Sequence, residues 1–202
     1  MTFSIATAAI VFALIFPVEL PDKTFIATLV LATRYPPLQV WLGVASAFLV
    51  QTAVAVTLGG LLSRLPHQPV QILAAAMFAL GGLLLLRGAS KADAEEAEAE
   101  EEFAAKASAP ATGLRAVGAS FLVLFLAEWG DLSQILTASL AARYHDPLSV
   151  GVGSFTALAL IAALAAALGR TVLRYLRLAT IRRIGGIVCL LLATLTVIEL
   201  VR

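Results

Sequence analysis

Charge is scarce in this sequence. Only 13% of its 202 residues are Asp, Glu, Lys or Arg and 60% are hydrophobic, whereas soluble domains carry roughly 25% charged residues. The mean hydropathy is +0.96, and so few charges cannot cover a soluble globule. A net charge of only +1 gives a nucleic-acid partner no electrostatic support. The single cysteine, Cys189, lies inside an apolar run, which excludes an internal disulfide and a thiolate metal cluster. His67 and His145 both fall in connections, so no apolar run carries an imidazole. With no phosphate-binding loop either, a membrane enzyme is the least expected reading. No Lys or Arg precedes the apolar stretch Met1 to Phe16, so the basic start of a cleaved signal peptide is missing and a retained first span is expected.

The apolar sequence comes in blocks. They run from about Thr2 to Thr33, Leu38 to Leu62, Val70 to Leu86, Ala116 to Ala142, Leu148 to Leu168 and Ile184 to Val201. A bilayer core needs roughly 20 apolar residues per helix, so these blocks predict six spans. The one long polar stretch, Arg87 to Arg115, contains an Ala/Glu run from Asp93 to Glu102, expected to be a disordered, solvated loop.

The parts on either side of that stretch are related. Pairing each residue from Glu19 to Tyr35 with the one 109 further on gives eight identities in seventeen positions, where chance would give roughly two. Among them are Glu19/Glu128, Asp22/Asp131, Thr28/Thr137 and Tyr35/Tyr144. A unit with an odd number of spans is inverted relative to its copy, and inverted repeats build many secondary transporters. The expected fold is therefore an all-α membrane protein. Its six transmembrane helices form two inverted three-helix repeats, residues 1–88 and 113–202, joined by an acidic cytoplasmic linker, residues 89–112. Connections on one side hold ten Lys and Arg residues and those on the other hold three, which places the central loop in the cytoplasm and both termini outside.

The first and fourth blocks are each about thirty residues long and interrupted by acids. The first reads Glu19-Leu20-Pro21-Asp22-Lys23-Thr24 and the fourth Glu128-Trp129-Gly130-Asp131-Leu132-Ser133-Gln134. A carboxylate at bilayer depth is costly and persists where it meets water, a partner or a ligand. Glu and Asp three apart share a helical face, so four carboxylates can converge. Pro17 and Pro21 free backbone carbonyls and Gly130 weakens the second helix, so both spans are predicted to break at the motifs.

Carboxylates, carbonyls and the hydroxyls of Thr24 and Ser133 form an all-oxygen set suited to a hard divalent cation. Four carboxylates in low dielectric cannot all stay ionised without a cation, so cation entry should expel protons. Lys23 would neutralise one acid, and Gln134 could line a pathway or make a packing hydrogen bond. The competing reading of the acids is a salt bridge or water bridge that holds the bundle together. For Thr24 and Ser133 it is a hydroxyl bonded back to its own helix. Gln51, Thr52, Thr28 and Thr137 are open between pathway and packing, and Glu199, near a helix end, is expected to be structural.

These motifs resemble the paired Glu-x-Gly-Asp-(Lys/Arg)-(Thr/Ser) signatures of the Gdt-type calcium/manganese–proton exchangers, within the calcium/cation antiporter group. The resemblance covers nearly the whole chain. By position it implies that Glu19, Asp22, Thr24, Glu128, Asp131 and Ser133 handle the metal, supported by Pro21, Lys23, Gly130 and Gln134. It further implies exchange of manganese or calcium for protons and export from the cytosol, in bacteria across the inner membrane. The metal is then cargo, with no cofactor. Partners would be the cation, protons and the bilayer, with a homo-oligomer compatible. Pro21 stands where the family has Gly, and Leu132 where it has Lys or Arg. Two other readings are an exporter of another solute on a similar scaffold and a non-transporting membrane regulator that binds ions.

Overall fold

The computed structural model describes residues 3–20, 23–63, 67–106, 111–175 and 178–201. Among them are nine helices and no strand: α1 (Ile5–Glu19), α2 (Lys23–Arg34), α3 (Pro37–Leu62), α4 (His67–Gly88), α5 (Ala92–Lys106), α6 (Leu114–Ala127), α7 (Leu132–Tyr144), α8 (Pro147–Tyr175) and α9 (Leu178–Val201).

The helix starts follow local rules. Ser4 caps α1 by accepting a hydrogen bond from the Thr7 amide at 3.2 Å, and α3 opens with Pro37 in its first turn. Asp146 caps α8 by accepting from the Ser149 amide at 3.1 Å. α3 and the stretch Pro147–Ala167 of α8 are each long and apolar enough to cross a membrane. α1 and α2, bent by 73°, and α6 and α7, bent by 75°, are long and apolar enough only as pairs, each forming either a broken span or a re-entrant loop. A shorter apolar stretch, Ala75–Gly88, lies within α4. Both predicted breaks are thus present.

Polarity is distributed for a bilayer. Leu38, Leu126 and Leu191 are more than half exposed on the outside, while Glu19, Thr24, Thr28, Ser120 and Ser154 are fully buried. Water would favour the opposite arrangement.

The packing comes in matched pairs. α3 lies against α6 and α7, α8 lies against α1 and α2, and α3 and α8 also touch each other. Gly43 of α3 approaches α6 so closely that a Cβ there would be 2.3 Å from the Val117 carbonyl oxygen. Gly153 of α8 approaches α1 in the same way, with a Cβ placed 2.4 Å from the Ala8 oxygen. Val117 is 109 residues after Ala8, and Gly153 is 110 after Gly43. The extra residue falls in the α7–α8 connection, where His145 adopts a φ of 52°. Chain direction follows from the contacts. Gly43 and Gln51 meet Val117 and Phe125 in order, so α3 and α6 run parallel. Ser149 and Gly153 meet Ser4 and Ala8 in order, so α8 and α1 do as well. α4 pairs with α9, with Gly82 against Gly186.

One expectation is corrected. The Ala/Glu run forms the helix α5 rather than a disordered loop, and its Ala99 and Phe103 are buried in the core. Alanine and glutamate are strong helix formers, and Phe103 supplies an apolar anchor against α2. Arg182 of α9 holds the near end of α5, donating to Glu95 and, at 3.0 Å, to the Gly88 carbonyl.

Candidate metal centre

Each helix break presents acids to the interior. Glu19 is the last residue of α1 and is fully buried. Glu128 ends α6 and is 4% exposed, and Asp131, half-buried, caps α7. One carboxylate oxygen from each of Glu19, Glu128 and Asp131 lies within 4.8 Å of the others. Three of the four expected acids therefore meet, drawn from both halves of the chain. Asp22 and Pro21 lie outside the described residues.

Hydroxyls and amides hold the acids in place. Thr24 donates to Glu19 Oε1 at 3.0 Å, inside the core. Ser133, its counterpart 109 residues on, donates to Asp131 Oδ2 at 2.8 Å. Neither hydroxyl is spent on its own helix backbone in these bonds. Thr28 takes that other course, donating to the Thr24 carbonyl. Gln134 clasps the second break: its backbone amide donates to Asp131 Oδ1 at 2.9 Å and its side-chain amide to the Glu128 carbonyl at 2.6 Å. Its own side-chain oxygen accepts from the Gly130 amide at 3.2 Å. Gly130 has a φ of 82°, which lets the chain turn sharply between α6 and α7.

Gln51 was not among the expected site residues. It donates to the Phe125 carbonyl at 3.2 Å, next to the break. With Gln134 on Glu128, two of the carbonyls at this break are occupied by side chains. A glutamine in the middle of an apolar helix was the available signal. Lys23 is exposed although Thr24 beside it is fully buried, and its charge reaches Glu102 of α5. Leu132, at the position where the resembling family carries a cation, packs against Gly81 of α4. The side chain of Glu199 lies outside the described residues.

Two ionised carboxylates 4.8 Å apart repel by about 3.5 kcal/mol at an effective dielectric of about 20. Three such groups need compensation. The N-terminus of α7 supplies part of it, because Asp131 caps that helix and takes up its positive end. A bound cation or proton can supply the rest. The donors are all oxygen, which suits a hard divalent ion.

Together, the broken helices and the buried acids they bring together define an all-helical membrane protein with a polar, acidic interior. The chain belongs to the GDT1 family. The profile described as "Divalent cation/proton antiporter GDT1" matches residues 7–93 and again residues 116–202, two segments offset by the same 109 residues as the repeat. It is accordingly a member of a membrane transporter family. A GDT1-like protein of Synechocystis sp. is 32% identical over 186 residues, covering 88% of this chain and 90% of that protein. Protein PAM71, chloroplastic, of Arabidopsis thaliana is 33% identical over 94% of this chain and 56% of its own length. The chloroplastic GDT1-like protein 1 of Oryza sativa subsp. japonica is 33% identical, over 94% and 61%. The chain thus spans about three fifths of the plant relatives' length. No solved structure matches it.

Proposed function

We propose that this chain exchanges a divalent cation, manganese or calcium, for protons and exports it from the cytosol. One observation carries the reading: acids from both halves, Glu19, Glu128 and Asp131, bring carboxylate oxygens within 4.8 Å of one another. Such a group is stabilised by a divalent ion, or by protons that replace that ion. Competition between the two for the same oxygens is the coupling that an antiporter needs. Asp22, by its position in the first motif, completes the metal set with Thr24 and Ser133.

The scaffold for this exchange is six spans in two inverted repeats, with α4 and α9 as the third span of each. The matched packing of α3 on α6 and α8 on α1, and the repeated match of the family profile, support that arrangement. So does the chain direction. Gly113 meets Gln39 at the start of α3, while Ser4 meets Ser149 at the start of α8. The excess of Lys and Arg beside the central segment, ten against three, supports a cytoplasmic α5 and external termini. The bacterial inner membrane is the corresponding location.

Purified protein in liposomes with a trapped pH dye tests this. Addition of manganese or calcium, with magnesium as comparison, should move protons, and Glu19→Gln or Asp131→Asn should abolish the movement. Folded wild-type protein that responds to none of the ions would replace this reading with export of another solute or with a regulatory role.

A further inference from the structure

α5 comes once, after α4 and before α6, so it has no counterpart in the repeat and touches the two halves unequally. Its charged sequence is docked rather than solvated. Ala99 is 4% and Phe103 2% exposed, whereas Ala97, Glu98, Glu101 and Glu102 face outward. Positions 99 and 103 are one helical turn apart, which gives the helix a narrow apolar stripe. α5 packs on α2 and also touches α9.

Charged groups hold the helix toward both ends. Near its start, the buried Arg182 of α9 donates to Glu95 and, at 3.0 Å, to the Gly88 carbonyl at the end of α4. The approach is close, since a Cβ on Gly88 would lie 3.1 Å from that guanidinium. Near its end, Glu102 accepts from Lys106 of its own helix and also feels the charge of Lys23, the first residue of α2. Lys23 adjoins Thr24, whose hydroxyl holds Glu19, so this end of α5 lies beside the first helix break. The second break is different. The residue at the Lys23 position there is Leu132, which packs on Gly81 of α4, and Trp129 within that break is 57% exposed.

We propose that α5 is a releasable strap that ties α2 of the first half to α9 of the second and shuts the first break from the cytoplasm. Exchangers built from inverted repeats move one half against the other around a fixed site. A helix fastened to both halves opposes that movement. Its holds are one aromatic anchor and partly exposed charge pairs, which can open and reclose without unfolding the bundle. Release of α5 admits a cation from the cytoplasm, and docking closes the site behind it. The strap presupposes the exchange proposed above and makes the two faces of the protein unequal.

Thiol chemistry in a Cys189→Ala background tests it. In detergent, Ala99→Cys should react with a thiol reagent at least about tenfold more slowly than Ala97→Cys, because a docked helix must open first. Phe103→Ala or Arg182→Gln should quicken the slow reaction. Equal rates at the two positions mean an undocked helix and overturn the strap. In vesicles that move protons in response to manganese or calcium, Lys23→Cys with Glu102→Cys should be active until a reducible bifunctional thiol reagent joins the pair. Joining should stop exchange and reduction should restore it; undiminished exchange after joining overturns the strap. If that variant is inactive beforehand, Glu95→Cys with Arg182→Cys supplies a second pair with the same two outcomes. Phe103→Ala, shown to be folded by thermal unfolding, should lower the cation concentration at half-maximal proton movement, because more of the protein is open to the ion. Lost packing alone would not produce that gain. Wild-type protein that moves no protons overturns exchange itself, whereas exchange that survives joining overturns only the strap.

Discussion

Glu19 and Glu128 stand 109 residues apart in the chain, yet their carboxylate oxygens come within 4.8 Å of each other, with Asp131 in the same group. The contact joins the end of α1 to the end of α6, where both helices break. Each acid is then a repelling neighbour of the others and, in the proposed exchange, a shared ligand.

Charge removal at this contact should separate stability from activity. Glu19→Gln relieves repulsion in the cation-free protein, so its melting temperature without divalent ions should rise. The stabilisation that manganese or calcium gives to wild type should be lost. A thermal shift assay with and without each ion reads both effects.

The hydroxyls that orient the acids should matter less than the acids themselves. Thr24→Val and Ser133→Ala each remove one hydrogen bond to a carboxylate. Loss of such outer partners lowers metal affinity by about 10–100-fold. The concentration of cation at half-maximal proton movement should rise accordingly.

Gly130 should resist substitution. At φ 82° an alanine is strained, although nothing lies within 4 Å of its Cβ. Gly130→Ala should cost about 1–2 kcal/mol and disturb the Gln134 clasp. Unfolding in detergent measures the first effect and transport the second.

The matched glycines offer a test of packing. A Cβ at Gly43 or Gly153 would lie under 2.5 Å from a backbone oxygen, whereas Gly60 has open space around it. Gly43→Ala and Gly153→Ala should each destabilise by about 1–3 kcal/mol, by similar amounts, while Gly60→Ala is neutral or stabilising. Unequal effects at the first two positions would argue against equivalent roles in the halves.

The α8 cap should give a local pH dependence. Hydrogen bonds from the Ser149 side chain and amide hold the Asp146 carboxyl below its ordinary value. A depressed folded value means the cap stabilises above the unfolded range, near pH 4, and its advantage fades as pH falls through the folded value. Asp146→Ala should therefore lower stability at neutral pH, by about 1 kcal/mol, and by less in strong acid. Unfolding curves at both pH values measure the difference.

Much of this was legible in the chain itself. The low charge and the apolar blocks, with the 109-residue repeat, determined an all-helical membrane protein with two related halves. Acids amid apolar sequence marked the helix breaks, because an ionised group at that depth must be compensated. Tertiary structure alone decided what surrounds them. The 109-residue offset already pairs Gln134 with Phe25 in the sequence, but only the fold brings Phe25 together with Ile161 and Ala165. The Ala/Glu composition of α5 suits a helix, but its high charge hid its docking, because the burial of Ala99 and Phe103 depends on a surface supplied by α2. Lys23 was expected to neutralise one acid, and the fold leaves it exposed beside a buried Thr24. Local spacing specifies which residue types share a helix face, whereas the direction that face points is set by packing between elements distant in the chain.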